Sequence, residues 1–216
     1  MPVRQTLSNQ KLSRRAQEII LCSWRKSTTL QYDVNIKKWI SFATARGSDP
    51  FTPSVALVVE FLTDLFHRGL SYSSLNTARS ALSTFIFTEG GPIGAHPLIR
   101  RFMKGVFQLR PALPKYNVTW ETDTVLNYLR KLSPVRVLNL KRLTFKLVML
   151  IALLTGQRCQ TIHALTLSNT TLTDNFVKFR ISTLLKQSRP NYHLQELKIK
   201  AFAPDRRMCI VRVLKE

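Results

Sequence analysis

A chain of 216 residues with 33 Lys plus Arg against 12 Asp plus Glu carries a formal charge of +21 and a pI near 10.7, well beyond what solubility asks of a domain this size. The expected partner is a polyanion, and an apolar content of 44% says that the chain also folds, which excludes a disordered basic tail. Residues 1–115 hold 16 basic and 6 acidic groups and residues 116–216 hold 17 and 6, so the excess belongs to both halves, and the length allows two modest cores. Cys22, Cys159 and Cys209 are scattered, with no CxxC pair and no His at ligand spacing, which suggests a reducing compartment and argues against a disulfide framework or a zinc site. No apolar run approaches the length of a membrane span. Arg4, Lys11, Arg14 and Arg15 lead into no apolar signal core. A soluble intracellular protein without a membrane partner is expected.

Residues 1–26 read as a basic leader. Ser27 is the expected cap of a first helix in which Tyr32, Ile36, Trp39, Ile40 and Ala43 recur at helical spacing, with Gly47 ending it. Thr52-Pro53 opens a second, buried through Val55, Val58, Val59, Leu62, Leu65 and Phe66 and stopped by Gly69. A third runs from about Ser73, with Leu75, Ala78, Leu82, Phe85 and Ile86 as its core side. His96-Pro97 starts a fourth, whose Leu98, Ile99, Phe102 and Val106 close the bundle while Arg100, Arg101 and Lys104 take the opposite flank. The prolines at 111 and 114 make residues 109–118 the expected linker, so residues 27–108 form one domain and 119–216 the next.

In the second half a helix is expected from Thr122 to Leu132, then a Ser133-Pro134 break, then a nearly all-apolar helix from about Asn139 to Thr155. A helix apolar on most sides belongs inside a domain, and Gly156 suits the left-handed residue that ends it. The period then changes. Val177, Phe179 and Ile181 alternate with Lys178 and Arg180, and Leu197, Ile199 and Ala201 alternate with Lys198 and Lys200, which predicts two strands. The polar loop between them, about 184–193, carries Lys186, Arg189 and the turn pair Pro190-Asn191. Asp205 is the expected cap of a last helix through Met208, Val211 and Leu214, and the sequence stops at Glu216 without a C-cap, as a chain cut in mid-domain would.

The stretch that points to chemistry is Thr155-Gly156-Gln157-Arg158-Cys159-Gln160-Thr161. An arginine just past a helix-ending glycine, at the foot of the apolar run 147–154, is placed to meet an anion, a helix carbonyl or a carboxylate. The pattern resembles the first arginine box of the tyrosine recombinases, the integrase family, with wording closest to the recombinases of DIRS-type retrotransposons. The order of elements is similar as well: Thr28 to Phe42, Pro53 to Leu65 and Leu70 to Phe85 follow that family's SAM-like core-binding domain. The implied fold is mainly α, an N-terminal helical bundle followed by a truncated α+β DNA breaking-rejoining domain with a small sheet.

The resemblance implies roles for two residues. Arg158 would grip the scissile phosphate, where attack by a tyrosine hydroxyl builds charge on the non-bridging oxygens and a rigid fork of N–H donors stabilises it. Lys186 matches the hairpin lysine that protonates the leaving 5′-oxygen; Lys178, Lys198 and Arg189 lie close enough in sequence to compete for the match. Thr161 stands where the family often has an acidic residue that orients the arginine. The His-x-x-Arg box, a further His or Trp and the C-terminal tyrosine have no match: His193-Leu194-Gln195-Glu196 has the wrong end residue, and Tyr192 reads as a loop or strand residue. Because such a set acts as a unit, this chain alone is expected not to cleave DNA. The family needs no metal or other cofactor, and its active members assemble on DNA as homo-oligomers.

The expected partner is double-stranded DNA, held by Arg68, Arg79, Arg100, Arg101, Lys104, Arg110 and Lys115 acting on phosphates from two domains. A non-catalytic nucleic-acid-binding module derived from a mobile element is the alternative. A basic scaffold for an acidic protein is a third. A nuclear location follows only from the eukaryotic mobile-element resemblance. Trp24, Trp39 and Trp120 read as core or domain-interface residues, and His67, His96 and His163 as structural.

Overall fold

The computed structural model describes residues 2–114, 116, 118 and 120–216. Two units divide the chain, Met1–Asn117 and Val118–Glu216. Among the described residues there are ten α-helices and five short strands in two antiparallel sheets, so the protein is mainly helical. No described helix is long and apolar enough to cross a membrane.

Unit 1 opens with two short helices within the expected leader, α1 (Pro2–Asn9) and α2 (Arg14–Leu21). Ser13 caps α2, its hydroxyl accepting from the Ala16 amide, and Val3, Leu7 and Leu21 reach the core. Helix α3 (Lys26–Thr44) begins one residue before the expected Ser27 cap and takes Arg25 as its N-cap, without a side-chain capping bond. Helix α4 (Val55–His67) is capped by Ser54, whose hydroxyl accepts from the Leu57 amide. The expected Thr52-Pro53 start is overridden because Asp49 accepts a 2.6 Å bond from the Thr52 hydroxyl, drawing it into the preceding turn. Helix α5 (Tyr72–Leu82), capped by Ser71, stops before Phe85 and Ile86. Those two lead instead into a small hairpin, β1 (Phe87–Thr88) and β2 (Gly91–Pro92), and a 3-10 turn at Ile93–Ala95.

Helix α6 (Pro97–Leu109) starts where expected, with the His96 Nδ1 accepting from the Leu98 amide. Its buried side is Ile99, Met103 and Val106; Leu98, expected inside, is exposed. The core centres on Trp39, fully buried with its indole N–H donating to the Pro50 carbonyl at 3.0 Å. Phe42 and Phe61 lie against it with ring centroids 6.1 and 5.3 Å away. Trp24 packs on this core edge-on to Tyr32.

Unit 2 begins with α7 (Thr122–Lys131), preceded by Trp120, which is exposed. A cis Ser133–Pro134 bond and a 3-10 turn at Val135–Val137 lead to α8 (Leu140–Thr155), capped by Asn139. Helix α8 corrects an expectation. Leu150 and Ile151 are buried, and Leu143 and Leu147 are half-buried against Val177, Phe179 and Ile210. Phe145, 61% exposed, and Val148 stay in solvent, because this small unit covers one stripe of the helix rather than its whole circumference. A side chain that α8 buries completely is Lys146. Its ammonium donates to the Leu132 carbonyl at 2.6 Å and the Ser133 Oγ at 3.3 Å, so it binds the end of α7. Burial pushes its pKa down; the Asp205 charge opposes that shift and the Arg207 charge adds to it.

Gly156 ends α8 in the left-handed conformation, its N–H reaching the Ala152 carbonyl. Helix α9 (Cys159–His163) follows, then a 3-10 turn at Leu167–Asn169 and a three-stranded sheet. Strands β4 (Phe176–Arg180) and β5 (Glu196–Lys200) are the expected pair; β3 (Thr170–Leu172) on the far side of β4 was not foreseen. The register sets Lys178 opposite Lys198 and Arg180 opposite Glu196. Asp205 caps a 3-10 turn, Arg206–Met208, rather than the last helix. That helix, α10 (Ile210–Lys215), starts after Cys209 and buries Ile210, Val211 and Val213.

Candidate functional site

The turn at Gly156 sets the geometry. A left-handed residue reverses the chain at the end of α8, and Arg158, extended at φ −70° and ψ 151°, becomes the N-cap of α9. Its carbonyl accepts from the Thr161 amide at 2.8 Å and the Ile162 amide at 3.2 Å, so its backbone is held while its side chain projects into solvent. The guanidinium caps no helix carbonyl and pairs with no carboxylate among the described residues. Instead Nη1 donates to the Gln187 Oε1 at 3.3 Å. A neutral partner orients a guanidinium without cancelling its charge. The orienting group thus comes from the strand-connecting loop, while Thr161 is buried on the inner side of α9.

The second half of the site is that loop. The Gln160 Oε1 accepts from the Lys186 backbone amide at 2.9 Å, so two glutamines, one on each side, tie the Arg158 segment to the Lys186 segment. The loop has its own scaffold. Leu185 is buried, its amide donating to the Ser188 Oγ. The Ser188 Oγ lies 2.7 Å from the His193 Nδ1, and the His193 Nε2 lies 3.3 Å from the Ile181 carbonyl. Because a carbonyl only accepts, Nε2 is the donor to Ile181, and Nδ1 faces the Ser188 hydroxyl. Asn191 at φ +63° makes the turn, with Arg189 bridged to Tyr192. Lys186 itself is exposed. Lys178 pairs with Glu196 at 3.6 Å and Lys198 lies over the Phe176 ring at 4.4 Å, which places both rival lysines on the sheet, away from the loop that Gln160 and Gln187 dock onto the Arg158 segment.

The cations expected on unit 1 divide into groups. Arg100, Arg101 and Lys104 lie exposed on α6 without an ion pair among the described residues. Arg79 of α5 and Arg100 line one groove of about 400 Å3 together with Ser80, Ser83, Gly94 and Ala95. Gly94 is required there: a Cβ would stand 2.2 Å from the Ser83 Oγ, which the Gly94 amide binds at 3.0 Å. Arg68 is paired with Asp64 at 2.9 Å. Arg110 departs from the expected role. Its Nη1 donates to the Phe66 and Leu70 carbonyls at 3.2 and 2.7 Å and its guanidinium covers the Phe66 ring at 4.1 Å. It closes the end of α4 through bonds to neutral carbonyls. Lys115 lies outside the described residues.

A second basic groove on unit 1, about 510 Å3 and not predicted from the sequence, has Lys37, Lys38 and Arg46 joining Arg68 around Ser41 and Asp64. The helical spacing of Lys37, Ser41 and Ala45 was the available signal. A cavity of about 650 Å3 in unit 2 is mainly apolar and includes neither Arg158 nor Lys186; Leu126, Leu150, Leu153, Leu154, Phe202 and Met208 line it with Lys198 and Lys200 at its rim. Among the described residues no three His, Cys, Asp or Glu side chains are grouped to hold a metal ion. No protein-family profile and no curated protein sequence matches the chain.

Proposed function

We propose that this chain is a DNA-binding protein of the tyrosine recombinase type, in which unit 1 serves as the SAM-like core-binding domain and unit 2 supplies part of a metal-free phosphoryl-transfer site. The observation that carries the reading is the pair of bonds Arg158–Gln187 and Gln160–Lys186, which bring a projecting arginine and a loop lysine to one edge of unit 2. Arg158 would hold the non-bridging oxygens of a phosphodiester as negative charge develops there, and Lys186 would deliver a proton to the departing oxygen. With no His-x-x-Arg box among these residues, the proposed activity of the chain itself is binding and phosphate gripping without cleavage. Arg79, Arg100, Arg101 and Lys104 are the phosphate contacts proposed for unit 1.

A competition assay tests the reading. A labelled random-sequence duplex should be retained against an excess of poly-glutamate and displaced by unlabelled duplex. Equal displacement by both polyanions would favour a scaffold for acidic proteins. The alternative, a nucleic-acid-binding module with no catalytic ancestry in use, is separated by Arg158→Ala. With the remaining catalytic residues supplied by a complete recombinase partner, the change should abolish strand cleavage and leave duplex binding nearly intact.

A further inference from the structure

The outer face of the three-stranded sheet carries a charge arrangement that the fold alone does not explain. Residues two apart on a strand share a face, and the register puts Val177, Phe179, Leu197 and Ile199 inside. Lys178, Arg180, Lys198 and Lys200 therefore stand together on the outside, with Phe176 and Thr171. Lys178 faces Lys198 directly, and Thr171 of β3 completes that row. Like charges directly opposite one another destabilise a strand pair. The face holds one carboxylate, Glu196, which is 3.6 Å from Lys178. Arg180 and Lys200 make no ion pair and no ring contact among the described residues. Four cations against one anion on a sheet surface leave a net positive field that an outside anion would neutralise.

The geometry points to a nucleic-acid phosphate backbone lying across this face. Cations two residues apart on a strand are separated by about 6.8 Å, and neighbouring strands by about 4.8 Å, so the four charges form a compact grid that can meet successive phosphates. The face is continuous with the candidate site. Arg180 and Glu196 are the last and first residues of the strands that the Lys186 loop joins, and the Ile181 amide extends the ladder to the Gln195 carbonyl at 2.8 Å. A backbone on the sheet would thus run toward Arg158 and Lys186. This surface rests on the proposed DNA-binding role and extends it to residues outside the unit 1 cations.

The test is a salt titration of the full chain with a random-sequence duplex, repeated for Arg180→Gln/Lys200→Gln and for Glu196→Gln. The double variant removes two cations that make no ion pair or ring contact among the described residues, so its melting temperature should change little. Its log–log salt slope should be shallower by about 2, and its affinity at 0.1 M salt about 60-fold weaker, since each phosphate contact contributes about 0.9 to the slope. Glu196→Gln should shift affinity the other way, by up to about eightfold. A parent chain that binds and variants with the parent's slope and affinity would overturn the sheet surface alone. A parent chain that binds no duplex would overturn both this surface and the proposed function.

Discussion

In unit 1 the rings of Trp39, Phe42 and Phe61 are gathered inside a helical bundle, whereas in unit 2 the most apolar helix leaves Phe145 and Val148 in water and hides a lysine. The difference teaches that the apolar content of a segment does not fix its burial; the number of neighbours able to cover it does. Helices α3 to α6 cover one another on several sides. Helix α8 has one stripe against the sheet and α10, and its remaining polarity is turned inward at Lys146. The same contrast runs through the cations. Arg110 is built into unit 1, while Arg158 is oriented by a neutral glutamine and faces solvent with its charge intact.

The largest effect should come from the enclosed core. Trp39→Ala removes a fully buried ring and its bond to Pro50 and should cost about 3–5 kcal/mol in denaturant unfolding. Leu154→Ala, at a position 64% exposed in unit 2, should stay within about 0.5 kcal/mol. Similar losses at the two sites would break the contrast between the units. Next comes Arg110→Ala, which leaves the Phe66 and Leu70 carbonyls without their donor and should cost about 1.5–3 kcal/mol. Arg100→Ala should leave stability unchanged and instead make the salt slope of duplex binding shallower by about 0.9.

Lys146 gives a pH signature. Its folded pKa lies below the ordinary 10.5, so between those two values the unfolded chain binds more protons and stability rises with pH. The rise approaches at most about 1.4 kcal/mol per pH unit. Lys146→Met should flatten it in chemical unfolding measured across the alkaline range. An unchanged slope would mean that the ammonium is not desolvated. Asp205 acts at the acid end. Its hydrogen bond from Arg207, aided by Arg130, holds its carboxyl down from 3.8 to about 2. Its contribution is complete above pH 3.8 and lost as pH falls through about 2. Asp205→Asn should remove that part of the acid limb, read as a smaller loss of stability between those pH values.

What the sequence made legible follows from physics that acts over a few residues. The alternation in β4 and β5, the helical periods of α3 to α6 and the left-handed glycine after α8 are local, and each was readable. Ser54 displaced Thr52-Pro53 as the α4 cap because an aspartate three residues earlier captured the threonine hydroxyl. Helices α1 and α2, of two turns each, show too few apolar positions to establish a period. The burial of Lys146 depends on the end of α7 being brought beside it. Arg158 was legible from the glycine before it. Its link to the Lys186 loop was not, because Gln160 and Gln187 are polar residues whose pairing exists only once the sheet has closed. Loss of either glutamine should therefore loosen the loop, and limited proteolysis of Gln160→Ala or Gln187→Ala should show faster cutting near Arg189 than in the parent.

The central proposal, that this chain binds a nucleic-acid backbone through its cations, is tested most directly by the salt dependence of binding to a random-sequence duplex. Arg79, Arg100, Arg101, Lys104, Arg158 and Lys186 as phosphate contacts predict a log–log slope of about −5, and the sheet cations would make it steeper. A slope near zero would contradict the account, because a chain of net charge +21 that releases no counterions on binding is not gripping phosphates.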